Sequence, residues 1–387
     1  MEWNKHEKKP PKNGIVIFVE DTLVALQALA KAYIVDVNPT VVGVTGSNGK
    51  TTTKDMISSI LSERYVVHKT KGNFNNHIGL PLTILEMKEQ TDIAVLEMGM
   101  SGLGEIELLS RLAEPDIAII TNIGEAHLQD LGSREAIAEA KLEITKGLKN
   151  NGTLIYDGEE PLLQERVDQH YKKITFGYSN KMDFYPLTIE QTNEGTTFTC
   201  YPFNDSFYMP VLGKHNVKNA LSAMAVGKTL HLSEEEIKRG LASIKISSMR
   251  LEMEKGSTGE VIINDAYNSS PTAVRAVMDL VYDLSDYKRK IVVLGDMLEL
   301  GDDEERLHYE VGKTIIGEKV DFVFTYGPLS AHISRGAQER FRDGYVFHYE
   351  DKQRLIEDLK ELRTSGDLIL IKASRGMKLE EVVKALK

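Results

Sequence analysis

The segment that most constrains the fold is a short strand that runs into a glycine turn and then a helix. Val41-Val42-Gly43-Val44-Thr45 is apolar and rich in β-branched residues, Gly46-Ser47-Asn48-Gly49 is a turn, and a helical pattern covers residues 50–63. A strand with this composition is apolar on both faces. It needs a sheet covered by helices on each side. Further apolar runs at residues 92–97 and 116–121, with helix-like segments between them, supply the neighbouring strands. The expectation is a parallel sheet in an α/β domain.

The pattern then changes. Strand-like runs at residues 174–177, 183–190, 196–202 and 207–212 are separated by polar turns, which predicts an antiparallel patch on the parallel sheet. A helix is predicted over residues 216–230. A second strand–helix series follows, with strands at 261–264, 290–294, 321–325, 345–348 and 368–372 and helices at 272–284 and 352–362 among them. It reads as a smaller, Rossmann-like domain. The expected division is a lead-in over residues 1–36, a central domain over 37–247 and a second domain over 248–387, with the boundary near Ser247-Ser248. Within the lead-in, residues 14–19 read as a strand and 22–33 as a helix; so few residues make no independent domain.

A chain of 387 residues, 41% hydrophobic and 27% charged, has apolar material for two cores. Its net charge of −11 disfavours nucleic acid or an anionic membrane as a general partner. No run approaches the length of a membrane-spanning helix, and the charged N-terminus lacks the apolar stretch of a signal peptide. Cys200 is the single cysteine, so no intramolecular disulfide or multi-cysteine zinc site forms. A cytoplasmic protein is expected.

The turn carries the chemistry. In Thr45-Gly46-Ser47-Asn48-Gly49-Lys50-Thr51-Thr52-Thr53, glycines let successive N–H groups face one point, and the helix N-terminus adds partial positive charge. Lys50 can reach a nucleotide's β- and γ-phosphates, and the Thr51 hydroxyl can ligate magnesium. The spacing is shorter than that of the common P-loop, which would place glycine where Val44 stands. The bland alternative is an ordinary glycine turn with a solvated lysine.

This shortened loop resembles that of the Mur ligase family and of the related folylpolyglutamate synthases. Further segments extend the resemblance to Mur ligases: Lys71-Gly72-Asn73-Phe74-Asn75-Asn76-His77-Ile78-Gly79-Leu80-Pro81, Leu96-Glu97-Met98-Gly99-Met100, Thr121-Asn122-Ile123-Gly124-Glu125-Ala126-His127-Leu128 and Glu139-Ala140-Lys141-Leu142-Glu143-Ile144. Gly213-Lys214-His215-Asn216-Val217-Lys218-Asn219-Ala220, Met249-Arg250-Leu251-Glu252, Asn264-Asp265-Ala266-Tyr267-Asn268-Ser269-Ser270-Pro271, Gly295-Asp296-Met297-Leu298-Glu299-Leu300-Gly301 and Lys372-Ala373-Ser374-Arg375-Gly376-Met377 follow in family order. The 72–81 and 295–301 strings favour the branch that adds D-alanyl-D-alanine to UDP-N-acetylmuramoyl-tripeptide. The resemblance implies an ATP-dependent amide ligase of peptidoglycan precursor synthesis, working through an acyl phosphate, as a monomer. Family members carry a full N-terminal domain for the uridine nucleotide; residues 1–36 read as a remnant of it.

The resemblance also implies roles. ATP falls to Gly46, Ser47, Asn48, Gly49, Lys50, Thr51, Thr52, His215, Asn219, Arg250 and Asp265. Two magnesium ions fall to Thr51, Glu97, His127 and Lys141, the last as a carbamate made with carbon dioxide. Lys50, His127, Lys141 and Arg250 carry the catalysis. Asn73, Asn75, Asn76, Tyr267 and Asn268 face the acceptor side, and Ser374 and Arg375 the carboxylate of the incoming dipeptide. By residue type alone, Lys141 is a surface lysine, the three asparagines equally shape a turn, and His215 with Asn219 equally cap and pack a helix. The run at 304–306 reads as a solvated helix face. Two alternatives remain: a folylpolyglutamate-synthase-like ligase, and a non-catalytic ATP-binding module. A plain P-loop hydrolase is a third.

Overall fold

The computed structural model describes residues 17–168 and 170–387. Its first sheet contains β1 (Thr40–Thr45), β2 (Val67–Lys69), β3 (Ile93–Glu97), β4 (Ile117–Ile120), β5 (Thr153–Asp157) and β6 (Lys172–Phe176), in the order β2-β3-β1-β4-β5-β6. Every pairing is parallel. Strands β1, β3 and β4 are buried along nearly their whole length, as continuous apolar runs require. The order reverses at β1, which lies between β3 and β4. A crevice therefore opens at the carboxyl ends of these strands, where such sheets bind ligands. The glycine turn follows β1 at that point.

Three strands, β7 (Tyr185–Gln191), β8 (Thr196–Tyr201) and β9 (Ser206–Met209), form the antiparallel patch. Phe198 and Phe207 of this patch share a core with Ile57 and Ile60 of the helix Lys50–Leu61 and with Leu221 of the helix Lys214–Thr229. The run at 174–177 does not belong to the patch. It lies in β6, which pairs in parallel with β5, so four runs with polar turns split between two sheets. Local composition carries no sign of which partner a short strand takes. Strands β2 and β5 also went unread in the sequence; β2 has only three residues, all half-buried.

The second sheet contains β10 (Glu252–Lys255), β11 (Val261–Asp265), β12 (Lys290–Gly295), β13 (Phe322–Tyr326), β14 (Val346–Tyr349) and β15 (Leu368–Lys372), in the order β10-β11-β15-β12-β13-β14. Only β10, an edge strand, is antiparallel. Its charged Glu-Met-Glu-Lys sequence gave no strand signal. Asp265 and Lys372 are register partners at the carboxyl ends of β11 and β15.

The strand-like run at 14–19 lies mostly outside the described residues, and residues 17–19 form no strand. The helix Thr22–Val37 runs four residues beyond the sequence pattern. Asp21 accepts from the amides of Leu23 and Val24 at its start, and Asn38 stops it in the left-handed region with φ 51°. Among the described residues, no helix is long and apolar enough to cross a membrane.

Candidate functional site

A cavity of about 670 Å³ spans the crevice and is closed on its far side by the second sheet's elements. The turn Ser47–Thr52 forms one wall. Gly49 takes φ 80° as N-cap of the helix Lys50–Leu61, and an added Cβ would sit 2.6 Å from Asn219 Oδ1. Gly46 has φ 143°, and a Cβ there would overlap the Thr121 hydroxyl. Gly46 has no room for a side chain, and one at Gly49 would sit on a strained backbone and displace the Asn219 amide. Lys50 Nζ donates to the carbonyls of Gly46 (2.7 Å) and Ser47 (3.3 Å), so the cation is folded back on its own loop. Burial lowers its pKa, against the opposing pull of Glu97, with Arg250 lowering it further.

Glu97 is 3% exposed at the end of β3. One carboxylate oxygen accepts from Thr51 Oγ1 (2.9 Å) and the other from Asn75 Nδ2 (2.9 Å). Lys54 Nζ, also buried, lies 3.9 Å from the same group. A carboxylate beside a threonine hydroxyl at a phosphate loop fits magnesium. Among the described residues no three His, Cys, Asp or Glu side chains converge. The remaining ligands would be phosphate oxygens and water, which is how magnesium is usually held.

Lys141 is fully buried on the helix Arg134–Leu142, and its Nζ has no hydrogen-bond partner. Burial drives its pKa well below the ordinary value, and Lys50 adds to this. A buried, unpaired amine that is readily neutral is a nucleophile, so the site fits the carbamate chemistry. The surface-lysine reading fails.

The opposite wall comes from the second half. Arg250 stacks its guanidinium 4.2 Å from the Tyr267 ring centre. Asp265 accepts from Lys372 Nζ (2.7 Å), which also donates to the Asn268 carbonyl (2.8 Å). His215 lies between the halves. Burial lowers its pKa to about 4, despite Asp265, so its ring is neutral near pH 7. Asn219 Nδ2 donates to Asn216 Oδ1 (2.9 Å). Asn48 Nδ2 reaches Ser270 Oγ (3.3 Å), and Thr272 Oγ1 reaches Glu125 (2.9 Å), so the halves touch on both sides of the cavity.

The cavity thus gathers Ser47, Asn48, Gly49, Lys50, Thr51, Thr52, Asn75, Glu97, His215, Asn219, Arg250, Asp265, Tyr267 and Asn268. Gly46, Asn73, Asn76, His127, Lys141, Ser374 and Arg375 do not line it. Asn76 Oδ1 accepts from the amides of Ile78 and Gly79, so it shapes the turn before the helix Gly79–Leu85. Asn73 is exposed. Ser374 Oγ accepts from the Leu298 amide, and Arg375 pairs with Glu380 (2.9 Å). His127 Nδ1 lies 2.8 Å from Glu299 Oε2. Sequence reasoning gave no role to Asn122, whose side chain brackets Asn48 through two bonds, or to the pair Lys218–Asp157 (2.5 Å) at the rim. Both Asn122 and Lys218 stand inside quoted strings, so the signal was present without a geometry to read it.

Residues 44–227 match the Mur ligase middle domain, and residues 249–375 match the Mur ligase, glutamate ligase domain. The chain belongs to the Mur ligase family. It is 56% identical over 384 residues to the UDP-N-acetylmuramoyl-tripeptide--D-alanyl-D-alanine ligase of Bacillus subtilis strain 168, covering 99% of this chain and 84% of that one. Solved relatives include MurF of Thermotoga maritima in complex with ADP (TM-score 0.86, 30% identity, 98% of this chain and 87% of that one). MurF of Acinetobacter baumannii gives a TM-score of 0.86 at 29% identity, over 98% of this chain and 83% of that one. As Mur ligases, both halves follow the α/β architecture expected from the sequence.

Proposed function

We infer that this chain is the ATP-dependent ligase that joins D-alanyl-D-alanine to UDP-N-acetylmuramoyl-tripeptide, in the cytoplasm. The supporting observation is the single cavity in which the phosphate turn, Glu97, Arg250 and Asp265 meet, in a chain 56% identical to an enzyme of that name. We read it as two working units divided near Ser247-Ser248, with residues 1–36 as a lead-in.

The roles follow from charge. The acceptor carboxylate attacks the γ-phosphate of ATP, giving an acyl phosphate and ADP. The dipeptide amine then attacks the acyl carbon, and the tetrahedral adduct expels inorganic phosphate to leave an amide. Both steps crowd anions together, so fixed donors and cations dominate the catalysis. The backbone N–H groups of the turn and Lys50 hold the phosphates, which requires Lys50 to leave its own loop carbonyls. Glu97, Thr51 and a carbamylated Lys141 would hold magnesium, with His127 a further ligand; the metal supplies charge neutralisation at the transferring phosphoryl group. Arg250 meets the phosphates from the second unit, and Asp265 the ribose. His215, neutral, and Asn219 face the nucleoside. Asn75, Tyr267 and Asn268 border the acceptor, with Asn73 and Asn76 shaping its turn. Ser374 and Arg375 are assigned to the dipeptide end.

The test is phosphate release by the 387-residue chain with magnesium, bicarbonate, both substrates and ATP, omitting each component in turn. Release that needs both acceptor and dipeptide is the expected result. Release without any acceptor would indicate a hydrolase, and release with folate and glutamate alone the related synthase.

A further inference from the structure

The string Gly295–Gly301 carries no role in the reaction above, yet it bridges the halves through both backbone and side chain. The Glu299 carbonyl accepts from the Gln129 amide (3.0 Å), and its carboxylate lies 2.8 Å from His127 Nδ1. Both His127 (φ 65°) and Glu299 (φ 66°) occupy the left-handed region, which side chains other than glycine rarely adopt. Gly301 (φ 70°) lies so close that an added Cβ would be 3.1 Å from Gln129 Cα. From below, Ser374 Oγ accepts from the Leu298 amide (2.9 Å) and so holds the loop in place. Glu299 is 57% exposed, and one half-exposed ion pair returns less than two strained backbones cost. The ion pair alone therefore does not account for the strain. Strain of this sort persists where the surroundings fix a geometry that the site uses.

We propose that Glu299 is a positioning residue. Its carboxylate, brought in by the second unit, holds the Nδ1 side of His127 and ties the seating of that unit to the geometry of the first unit's site. At 2.8 Å the pair is an ion-pair contact without hydrogen-bond alignment, and the buried His127 Nδ1 has no other partner. A small turn of the ring aligns Nδ1–H with the carboxylate, which then fixes the tautomer and aims the other nitrogen, as outer-shell carboxylates do for histidines at metal sites. Closure and site assembly then become one event, because neither residue reaches the other when the halves part. This rests on the ligase reading for its kinetic consequence, though not for the contact itself.

The experiment compares wild type, Glu299→Gln, His127→Ala and the double variant as full chains, with Glu305→Gln as a control on an exposed neighbouring acid. Hydrogen exchange at the Gln129 amide is followed without nucleotide, and with magnesium and a non-hydrolysable ATP analogue. Each single variant should raise that exchange rate about tenfold, and the double variant no further, while Glu305→Gln matches wild type. Single effects that multiply in the double variant would overturn the proposal, as would wild-type exchange in Glu299→Gln. In the assay, Glu299→Gln should lower turnover about tenfold with the KM for ATP within about twofold of wild type. A KM rise with unchanged turnover would contradict the positioning role. The exchange readout needs no ligase activity, so it still decides on the contact if the ligase reading fails.

Discussion

Replacing Lys141 by methionine should make the protein more stable and inactive at once. The side chain is fully buried and its amine lacks a hydrogen-bond partner, so the charged form bears a desolvation cost that the carboxylates of Glu143 and Glu105 offset only in part. Methionine fills the same space with no polar atom. Leaving one buried polar group unsatisfied costs about 1–3 kcal/mol, so a gain of about 2 kcal/mol is expected at neutral pH. For a unit of this size that corresponds to about 4–8 °C in melting temperature. The pH dependence has a definite sign. The folded-state pKa lies below the ordinary 10.5, so between the two values the unfolded chain binds a proton that the folded chain does not. Stability of the wild type thus rises with pH through that window, and the penalty is complete below it. The methionine variant lacks this slope, so the difference between the proteins should shrink as pH approaches 10.5. Carbon dioxide gives a second handle. Carbamylation takes the neutral amine and releases a proton, and only the folded lysine is primed for it. A ligand confined to the folded state at about one hundred times its dissociation constant adds about 2.7 kcal/mol. Calorimetry in carbon-dioxide-free buffer and in bicarbonate, from pH 7 to pH 10, reads all of this. Equal melting of the two proteins across that range, with neither responding to bicarbonate, would refute the reasoning.

Thr51→Val removes the hydroxyl 2.9 Å from Glu97 while keeping the shape of the side chain. Turnover should fall about 100-fold, and the magnesium concentration for half-maximal rate should rise; an unchanged magnesium titration would detach Thr51 from the metal. Gly49→Ala places a Cβ 2.6 Å from Asn219 Oδ1 at φ 80°. Calorimetric titration with ADP should show affinity lower by about tenfold, equal to about 1.4 kcal/mol, and undiminished binding would mean that the turn relaxes at no cost.

What was legible in the sequence was whatever depends on local pattern. The strand before the turn, the helix after it and the alternating second half all follow from apolar runs and glycine placement, and the structure has them within a few residues. The ownership of β6 was not legible, because a run of five residues looks alike in either sheet. Nor was β10, whose exposed, charged residues are those of a protected edge. At the site, Glu97 and the turn were readable because strand end and loop are adjacent by topology. Lys141 was not readable from composition; its isolation depends on everything packed around it. The same holds for Glu299, whose partner His127 lies far away in sequence and meets it only when two sheets come together. Motif strings singled out candidate residues, while their division between cavity wall and supporting contact required coordinates.

The central claim is that the acceptor carboxylate is phosphorylated before the amide forms. It is tested most directly with acceptor peptide carrying oxygen-18 in its terminal carboxylate, with ATP, magnesium and D-alanyl-D-alanine, and with mass analysis of the phosphate released. The account predicts one heavy oxygen in each phosphate, because the C–O bond of the acyl phosphate breaks as the amine enters. Unlabelled phosphate formed at the rate of ATP consumption would mean that water takes the phosphoryl group, and would contradict the ligase account.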